Sequence, residues 1–182
     1  MDQEDQSYKL LMESRARNAP LLLAALEDDW KSAKAFIGKD RDCVRAAITE
    51  EQRTALHSAV ATKNTRFVKE LVKLMKPEDL ELKDNLGCTA LYFAAQSRIV
   101  AIAKEMVEKN KELPAIPKDD AERLPLYAAV KTGNRDMVSY LYSFTPLGKE
   151  DMNSKDRIEL LNAAISTELY GMFCNVSFIA IL

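Results

Sequence analysis

Leucine and alanine recur along this chain at a nearly constant spacing. A short Leu-x-x-Ala pattern begins at Leu21, Leu56, Leu91, Leu126 and Leu160. Three steps between these leucines are 35 residues and the last is 34. A regular period of this size is typical of a stacked repeat array, in which each unit buries its apolar face only against its neighbours. The pattern therefore predicts five units and no single central core.

A second apolar pair follows each of the first four leucines. Its two members lie three residues apart, which is helical spacing. The pairs are Ala33 with Phe36, Val68 with Leu71, Ala103 with Met106, and Val138 with Leu141. Each unit should therefore hold two antiparallel helices, and the first helix of each should begin near its leucine. Turn-forming residues, as in 84–87, connect one unit to the next.

Short motifs point to a known repeat. The sequence Thr-Ala-Leu-His at 54–57, preceding the turn Asp-Asn-Leu-Gly at 84–87, resembles the ankyrin repeat with its signature Thr-Pro-Leu-His-x-Ala. The resemblance covers roughly residues 19–172 and implies an all-α solenoid of about five helix-turn-helix units with short finger loops. The tetratricopeptide repeat has a similar period, but it requires only a short turn between units, and here those segments are long and contain prolines.

This resemblance also implies a division of the chain. Residues 1–18 should form a polar leader, with a short capping helix as one option. The ankyrin-repeat array should occupy residues 19–182, with units starting near 19, 54, 89, 124 and 158 and an incomplete last unit.

A narrower likeness concerns plant proteins. The segments 21–37 and 67–91 are similar to the N-terminal repeats of plant ankyrin-repeat membrane proteins, which carry a transmembrane PGG domain after the repeats. The likeness implies a role in defence or stress signalling. No PGG-like segment follows within the 182 residues, so we expect a truncated form, or the soluble fragment of a membrane-anchored signalling protein.

Composition narrows the function classes. The chain has 26 Lys and Arg against 28 Asp and Glu, a net charge of −2, which gives no basic surplus for nucleic acid. The acidic start at 1–5 is unlike a secretory signal, so we expect a cytoplasmic protein. Cys43, Cys88 and Cys174 are odd in number and far apart, which argues against disulfides and a metal site. No cofactor motif is present.

His57 is the most tempting catalytic residue because it is the single histidine of the chain. Tyr92 and Tyr127 take its place in the next two units, and tyrosine would not replace a general base in register. The ankyrin resemblance implies that His57 ties a turn to a helix start. We therefore expect no enzyme, because an enzyme would need a cluster of titratable groups in a pocket.

The remaining function is protein recognition. The ankyrin resemblance implies binding through the finger tips and the concave face of the first helices, a surface that loses little entropy on binding. The finger candidates are Lys83, Asn85, Leu86, Asp119, Asp120 and Glu122, and the helix candidates are Phe93, Gln96 and Lys131.

The turns between paired helices carry a further prediction. Ankyrin repeats prefer Gly in a left-handed conformation there, and Gly133 fits that preference. Asp28, Lys63 and Arg98 occupy the matching positions. They should adopt the same strained conformation or use a different turn.

The last step is 34 residues, and the C-terminal residues break the repeat pattern. Met172 then fits the second-helix stripe, whereas Asn175 falls at an apolar position. The apolar segment 176–182 is too short to span a bilayer, which needs about 20 residues. We expect this tail to pack over the fourth unit or to drive self-association.

Overall fold

A computed structural model describes residues 3–118, 123–145 and 154–169. Within these ranges the helices are α1 (Gln3–Leu26), α2 (Trp30–Ile37), α3 (Ala55–Ala61), α4 (Thr65–Leu74), α5 (Ala90–Ser97), α6 (Val100–Lys109), α7 (Pro125–Lys131), α8 (Arg135–Tyr142) and α9 (Ser154–Ser166). Short 3₁₀ turns cover Arg41–Arg45, Pro77–Glu81 and Leu113–Ala115. One isolated bridge between Lys83 and Thr89 is the β structure of the described ranges.

The helices form two layers. The first layer contains α1, α3, α5, α7 and α9, each packed against the next, and the second contains α2, α4, α6 and α8. Each second helix also packs against the first helix of its own unit. This arrangement confirms the predicted all-α repeat solenoid.

Two columns of small and branched residues explain why the first helices stack. Ala24, Ala59, Ala94, Ala129 and Ala164 recur every 35 residues, and all five are buried. The small Cβ lets neighbouring helix backbones approach closely, and a larger side chain would overpack the interface. Beside this column, Leu21, Leu56, Leu91 and Leu126 are at most 1% exposed. Burial of each leucine contributes about 1.5–3 kcal/mol.

The second helices bury the predicted stripe with one exception. Ala33, Val68, Leu71, Ala103, Met106, Val138 and Leu141 are all buried. Phe36 is only half-buried, and Ile37 beside it is buried at 3% exposure.

The turn prediction is confirmed at every position. Asp28, Lys63, Arg98 and Gly133 have φ values of 57°, 63°, 67° and 68°. Glu168, another 35 residues on, has φ 58°. Because left-handed backbone strains residues other than Gly, four of these five turns carry a conformational cost. Asp28 offsets part of it, since its carboxylate accepts a 3.1 Å hydrogen bond from the Phe67 N–H of the next unit.

The same column corrects the register of the fifth unit. The 35-residue step from Gly133 to Glu168 makes Leu161, and not Leu160, the counterpart of Leu126. The expected last step of 34 was therefore wrong, and adjacent leucines concealed the error. In the corrected sequence alignment of the units, Phe173 and Val176 correspond to Val138 and Leu141. The residues concerned, including Met172, Asn175 and segment 176–182, lie outside the described ranges.

Helix α1 differs from the expected first helix. It begins at Gln3, so a helix start near Leu21 was wrong, and the leader is continuous with the first unit. Pro20 lies inside the helix with its ring exposed, and Asn18 bonds back to the Ser14 carbonyl at 2.9 Å. At 24 residues, α1 is three times as long as α5, with 8.

Candidate functional site

The fingers are narrow loops that precede the first helices of units two, three and four. In the first finger the Ile48 N–H donates to the Arg53 carbonyl at 2.8 Å, and in the third Lys118 donates to Arg123 at 3.0 Å. The second finger closes through a 2.9 Å bond from the Asp84 N–H to the Cys88 carbonyl. The three acceptors Arg53, Cys88 and Arg123 recur every 35 residues, and Ile48 and Lys118 lie two periods apart, whereas the Asp84 donor lies one residue beyond the matching position.

Side-chain oxygens and left-handed residues shape the finger tips. The Asp84 carboxylate accepts hydrogen bonds from the Leu86 and Cys88 N–H groups, both at 2.9 Å. Thr49 has the equivalent position in the first finger, and its hydroxyl accepts from the Arg53 N–H at 3.2 Å. Gln52 and Gly87 occupy equivalent left-handed positions with φ 60° and 75°. The chain can turn there at lower strain with Gly than with Gln.

Neighbouring fingers are linked through the backbone. The Asn85 N–H donates to the Glu51 carbonyl of the first finger at 2.9 Å. The Arg15 guanidinium of α1 donates to the Glu50 carbonyl at 3.2 Å. Arg53 pairs with the buried Asp84 at 3.5 Å, which joins the bases of two fingers. The finger surface of the first three units is therefore pre-formed before any partner arrives.

His57 is held at the base of the second finger. With the proton on Nε2, that nitrogen donates to the Cys88 carbonyl at 3.1 Å, and Nδ1 accepts from the Thr54 N–H at 3.2 Å and the Thr54 hydroxyl at 2.9 Å. Burial lowers the pKa of His57, although the bond to Cys88 partly opposes that shift. Both ring nitrogens are engaged, so His57 has the structural role expected for it.

Phe93 lies between two residues of the preceding unit. Its ring meets His57 edge-on with centroids 5.9 Å apart, and the Arg53 guanidinium carbon lies 4.9 Å from the ring centroid. Phe93 is half-buried as a result. It can offer a partner only part of its ring, together with the cation that covers it.

One column on the first helices is exposed in all five units. Leu26, Ala61, Gln96, Lys131 and Ser166 recur every 35 residues, and we name this set the variable row. The buried column two residues before it is alanine each time, at Ala24, Ala59, Ala94, Ala129 and Ala164. Packing therefore dictates one residue type inside, whereas the variable row carries five different chemistries at regular spacing.

The predicted partner-binding residues fall into three groups. Lys83, Asn85 and Leu86 are exposed on the second finger, and Gln96 and Lys131 are exposed in the variable row. Phe93 is half-buried. Asp119, Asp120 and Glu122 of the third finger lie outside the described ranges.

Sequence reasoning missed the contribution of the first unit. Leu23 and Leu26 on α1 are 57% and 44% exposed and occupy the positions equivalent to Phe93 and Gln96. Counting back two periods from Phe93 and Gln96 would have found them. This apolar pair adds hydrophobic contact area at the first-unit end of the variable row.

A shallow groove lies at the other end of the row. It measures about 300 Å³ between α7 and α9, with Tyr127, Lys131, Asn162 and Ser166 among its lining residues. The Lys131 ammonium lies 5.9 Å from the centroid of the Tyr127 ring. This combination can accept a carboxylate or carbonyl of a partner.

Residues 3–118, 123–145 and 154–169 contain no group of three or more His, Cys, Asp or Glu side chains able to hold a metal. Cys43 is a buried free thiol and Cys88 is also buried, whereas Cys174 lies outside the described ranges. Burial raises the pKa of Cys43 to about 11, and the nearby carboxylates of Asp40 and Asp42 add to the shift.

Together, the paired helices, the fingers and the exposed variable row define a helical repeat protein. A family profile described as ankyrin repeats (3 copies) matches residues 21–116 and 62–156. The chain therefore belongs to the ankyrin-repeat family. No curated protein sequence matches the chain closely enough to identify a relative.

Proposed function

We propose that this protein is a binding scaffold that recognises partner proteins through its fingers and the variable row. Ankyrin repeats are generally protein-protein interaction modules. The observation that carries the proposal is the contrast between the five buried alanines and the five different exposed residues of the variable row. A scaffold built this way holds diverse side chains on a fixed frame, which reduces the entropy lost on binding.

The chemistry of the surface narrows the partner. Leu23, Leu26 and Leu86 are exposed apolar side chains, whereas Lys83 and Lys131 are exposed cations. We therefore expect a partner surface with an apolar patch for the first unit and hydrogen-bond acceptors or carboxylates for the later units.

A comparison of two matched variants tests this proposal. The site variant carries Leu86→Ala, Gln96→Ala and Lys131→Ala, and the control carries Lys104→Ala, Glu108→Ala and Ser139→Ala on the second helices, all at exposed positions. Quantitative affinity capture with mass spectrometry should find proteins that the wild type and the control retain and the site variant loses. Identical capture by all three proteins, with equal melting temperatures, would refute a role for this surface.

A second proposal concerns the likeness to plant ankyrin-repeat membrane proteins. Its support is the sequence likeness over 21–37 and 67–91, which suggests the repeat part of a membrane-anchored defence or stress-signalling protein. Among the described helices, none combines the length and apolar character needed to cross a bilayer. Sequencing the transcript beyond the codon for Leu182 tests the idea, because it requires apolar segments of about 20 residues downstream.

Cytoplasmic location and self-association complete the proposal. The buried free thiol of Cys43 supports a reducing compartment. The apolar sequence 176–182 supports self-association. Size-exclusion chromatography of the full chain beside a version ending at Gly171 tests that part, and identical monomeric elution would reject it.

A further inference from the structure

The second helices of the first two units carry a concentrated positive charge. The segments 30–45 and 65–76 contain nine cations and three carboxylates, a net charge of +6 in a chain whose net charge is −2. We name these nine residues the basic face. They are Lys31, Lys34, Lys39, Arg41, Arg45, Arg66, Lys69, Lys73 and Lys76, and all are exposed.

Internal ion pairs account for only part of this charge. Arg45 pairs with Asp79 at 2.9 Å, Lys69 with Glu105 at 3.0 Å, and Lys73 with Glu70 at 2.6 Å. Within the described ranges, the other six cations have no carboxylate oxygen within 4 Å. Those six are Lys31, Lys34, Lys39, Arg41, Arg66 and Lys76. Uncompensated like charges repel one another, so an anionic partner would be favoured here.

A recess interrupts the basic face between the two turns. Its volume is about 100 Å³, and Arg41, Arg45, Lys76, Ile37, Val44 and Leu74 are among its lining residues. The buried carboxylate of Asp79 is already satisfied by Arg45 and by the Lys76 N–H, at 2.9 and 2.8 Å. The recess therefore combines a smaller apolar part, from Ile37, Val44 and Leu74, with a larger polar part from the cations and from Asp42, a lining carboxylate that has no ion pair within the described ranges.

We propose that the basic face docks an acidic segment of a partner protein, whose carboxylates meet the six unpaired cations while one apolar side chain enters the recess. This surface is formed by second helices and turns, so it is separate from the fingers and the variable row. It would let one chain hold two partners at once.

The surface suits a polypeptide better than a membrane or a nucleic acid. Asp40 and Asp42 are exposed among the cations, and a flat surface of anionic lipid headgroups would repel these two carboxylates. A peptide can place its carboxylates beside the lysines and avoid these two residues. Stacking of nucleic-acid bases on aromatic rings is also unfavourable here. The Trp30 ring already packs edge-on against Phe67, with centroids 5.5 Å apart, and Phe36 is half-buried.

The test uses the full chain and a fluorescein-labelled peptide of repeated Glu-Glu-Leu triplets, with binding followed by fluorescence anisotropy. The face variant carries Lys31→Gln, Lys34→Gln, Arg66→Gln and Lys76→Gln. A control with the same loss of charge carries Lys9→Gln, Arg17→Gln, Lys104→Gln and Lys109→Gln. All replaced side chains lie on the surface or are half-buried, and equal melting temperatures for the three proteins would verify folding.

We expect the face variant to bind the peptide roughly tenfold more weakly and with less salt dependence, and the control to bind within about twofold of wild type. A peptide of Glu-Glu-Gly triplets should bind more weakly to wild type, because it has nothing for the recess. Equal losses in both variants would overturn the proposal, since net charge alone would then govern binding.

Three further measurements address the alternative occupants. Vesicles containing phosphatidylserine and a short DNA duplex should bind more weakly than the acidic peptide, and stronger binding of either would overturn the proposal. Light scattering should show no dimer that the face variant abolishes; such a dimer would assign the basic face to a second copy of this chain. Because no residue of the variable row is changed, these outcomes are independent of the finger-surface proposal.

Discussion

Replacing His57 with alanine should destabilise the protein through the second finger. The Thr54 N–H would lose its acceptor inside the protein, which costs about 1–3 kcal/mol. The Cys88 carbonyl would be less affected, because it still accepts from the Asp84 N–H at 2.9 Å. Loss of the edge contact with Phe93 adds about 0.5–1.5 kcal/mol. We expect a total loss of about 2–4 kcal/mol in the free energy of unfolding.

Urea denaturation at pH 7.5 would measure this loss. Ser58→Ala is the matched control, since Ser58 is also buried on α3 but makes only one weak side-chain bond, at 3.3 Å to the Thr54 carbonyl. The control should lose less than about 1 kcal/mol. Equal stability of the His57 variant and wild type would refute the structural role.

The pH dependence provides an independent check. Burial lowers the pKa of His57 in the folded state, so the neutral ring stabilises the fold above the unfolded value of 6.5. As pH falls below 6.5, the unfolded chain takes up the proton first. Wild type should therefore lose stability relative to His57→Ala, by at most about 1.4 kcal/mol per pH unit. A stability difference that grows on acidification would contradict this account.

Three further changes test other parts of the fold. Lys63→Gly should stabilise the protein by up to about 1 kcal/mol, because Gly relieves the left-handed strain there. Gly133→Ala should destabilise it by a similar amount through that strain alone, since an added Cβ would meet no atom closer than Thr167 Cβ at 3.9 Å. Thermal unfolding of both variants would measure these changes in stability. Asp84→Ala should cost about 2–4 kcal/mol and speed amide exchange at Leu86 and Cys88; unchanged exchange would reject its role in shaping the finger. Cys43 should react slowly with a thiol reagent until the protein unfolds, because its pKa is raised to about 11; rapid reaction in the native state would contradict that.

Structural features that recur with the 35-residue period could be predicted from the sequence. Leu56 and Leu91 repeat with their neighbouring alanines, so the sequence indicates both the helix pairs and the burial. The left-handed turns were also predictable, because Gly133 marks the position and Lys63 and Arg98 occur in register with it.

Other features depended on choices that the pattern leaves open. Leu160 and Leu161 are both leucine, so the leucine spacing does not separate a step of 34 from one of 35, whereas the left-handed backbone at Glu168 does. Pro20 suits a first helical turn, yet it lies inside α1, where its missing N–H removes one helical hydrogen bond. Arg53 and Phe93 lie 40 residues apart in different units, and no local sequence pattern predicts their contact.

The buried alanines also bear on how such a chain can grow. Because Ala59 and Ala94 present the same small surface to the units on either side, a duplicated unit would meet neighbours with matching contours. Gene duplication in steps of one period could therefore lengthen the protein without redesign of its interior. New exposed residues in the added unit would then be free to diverge, so a longer recognition surface could arise before any partner selected it.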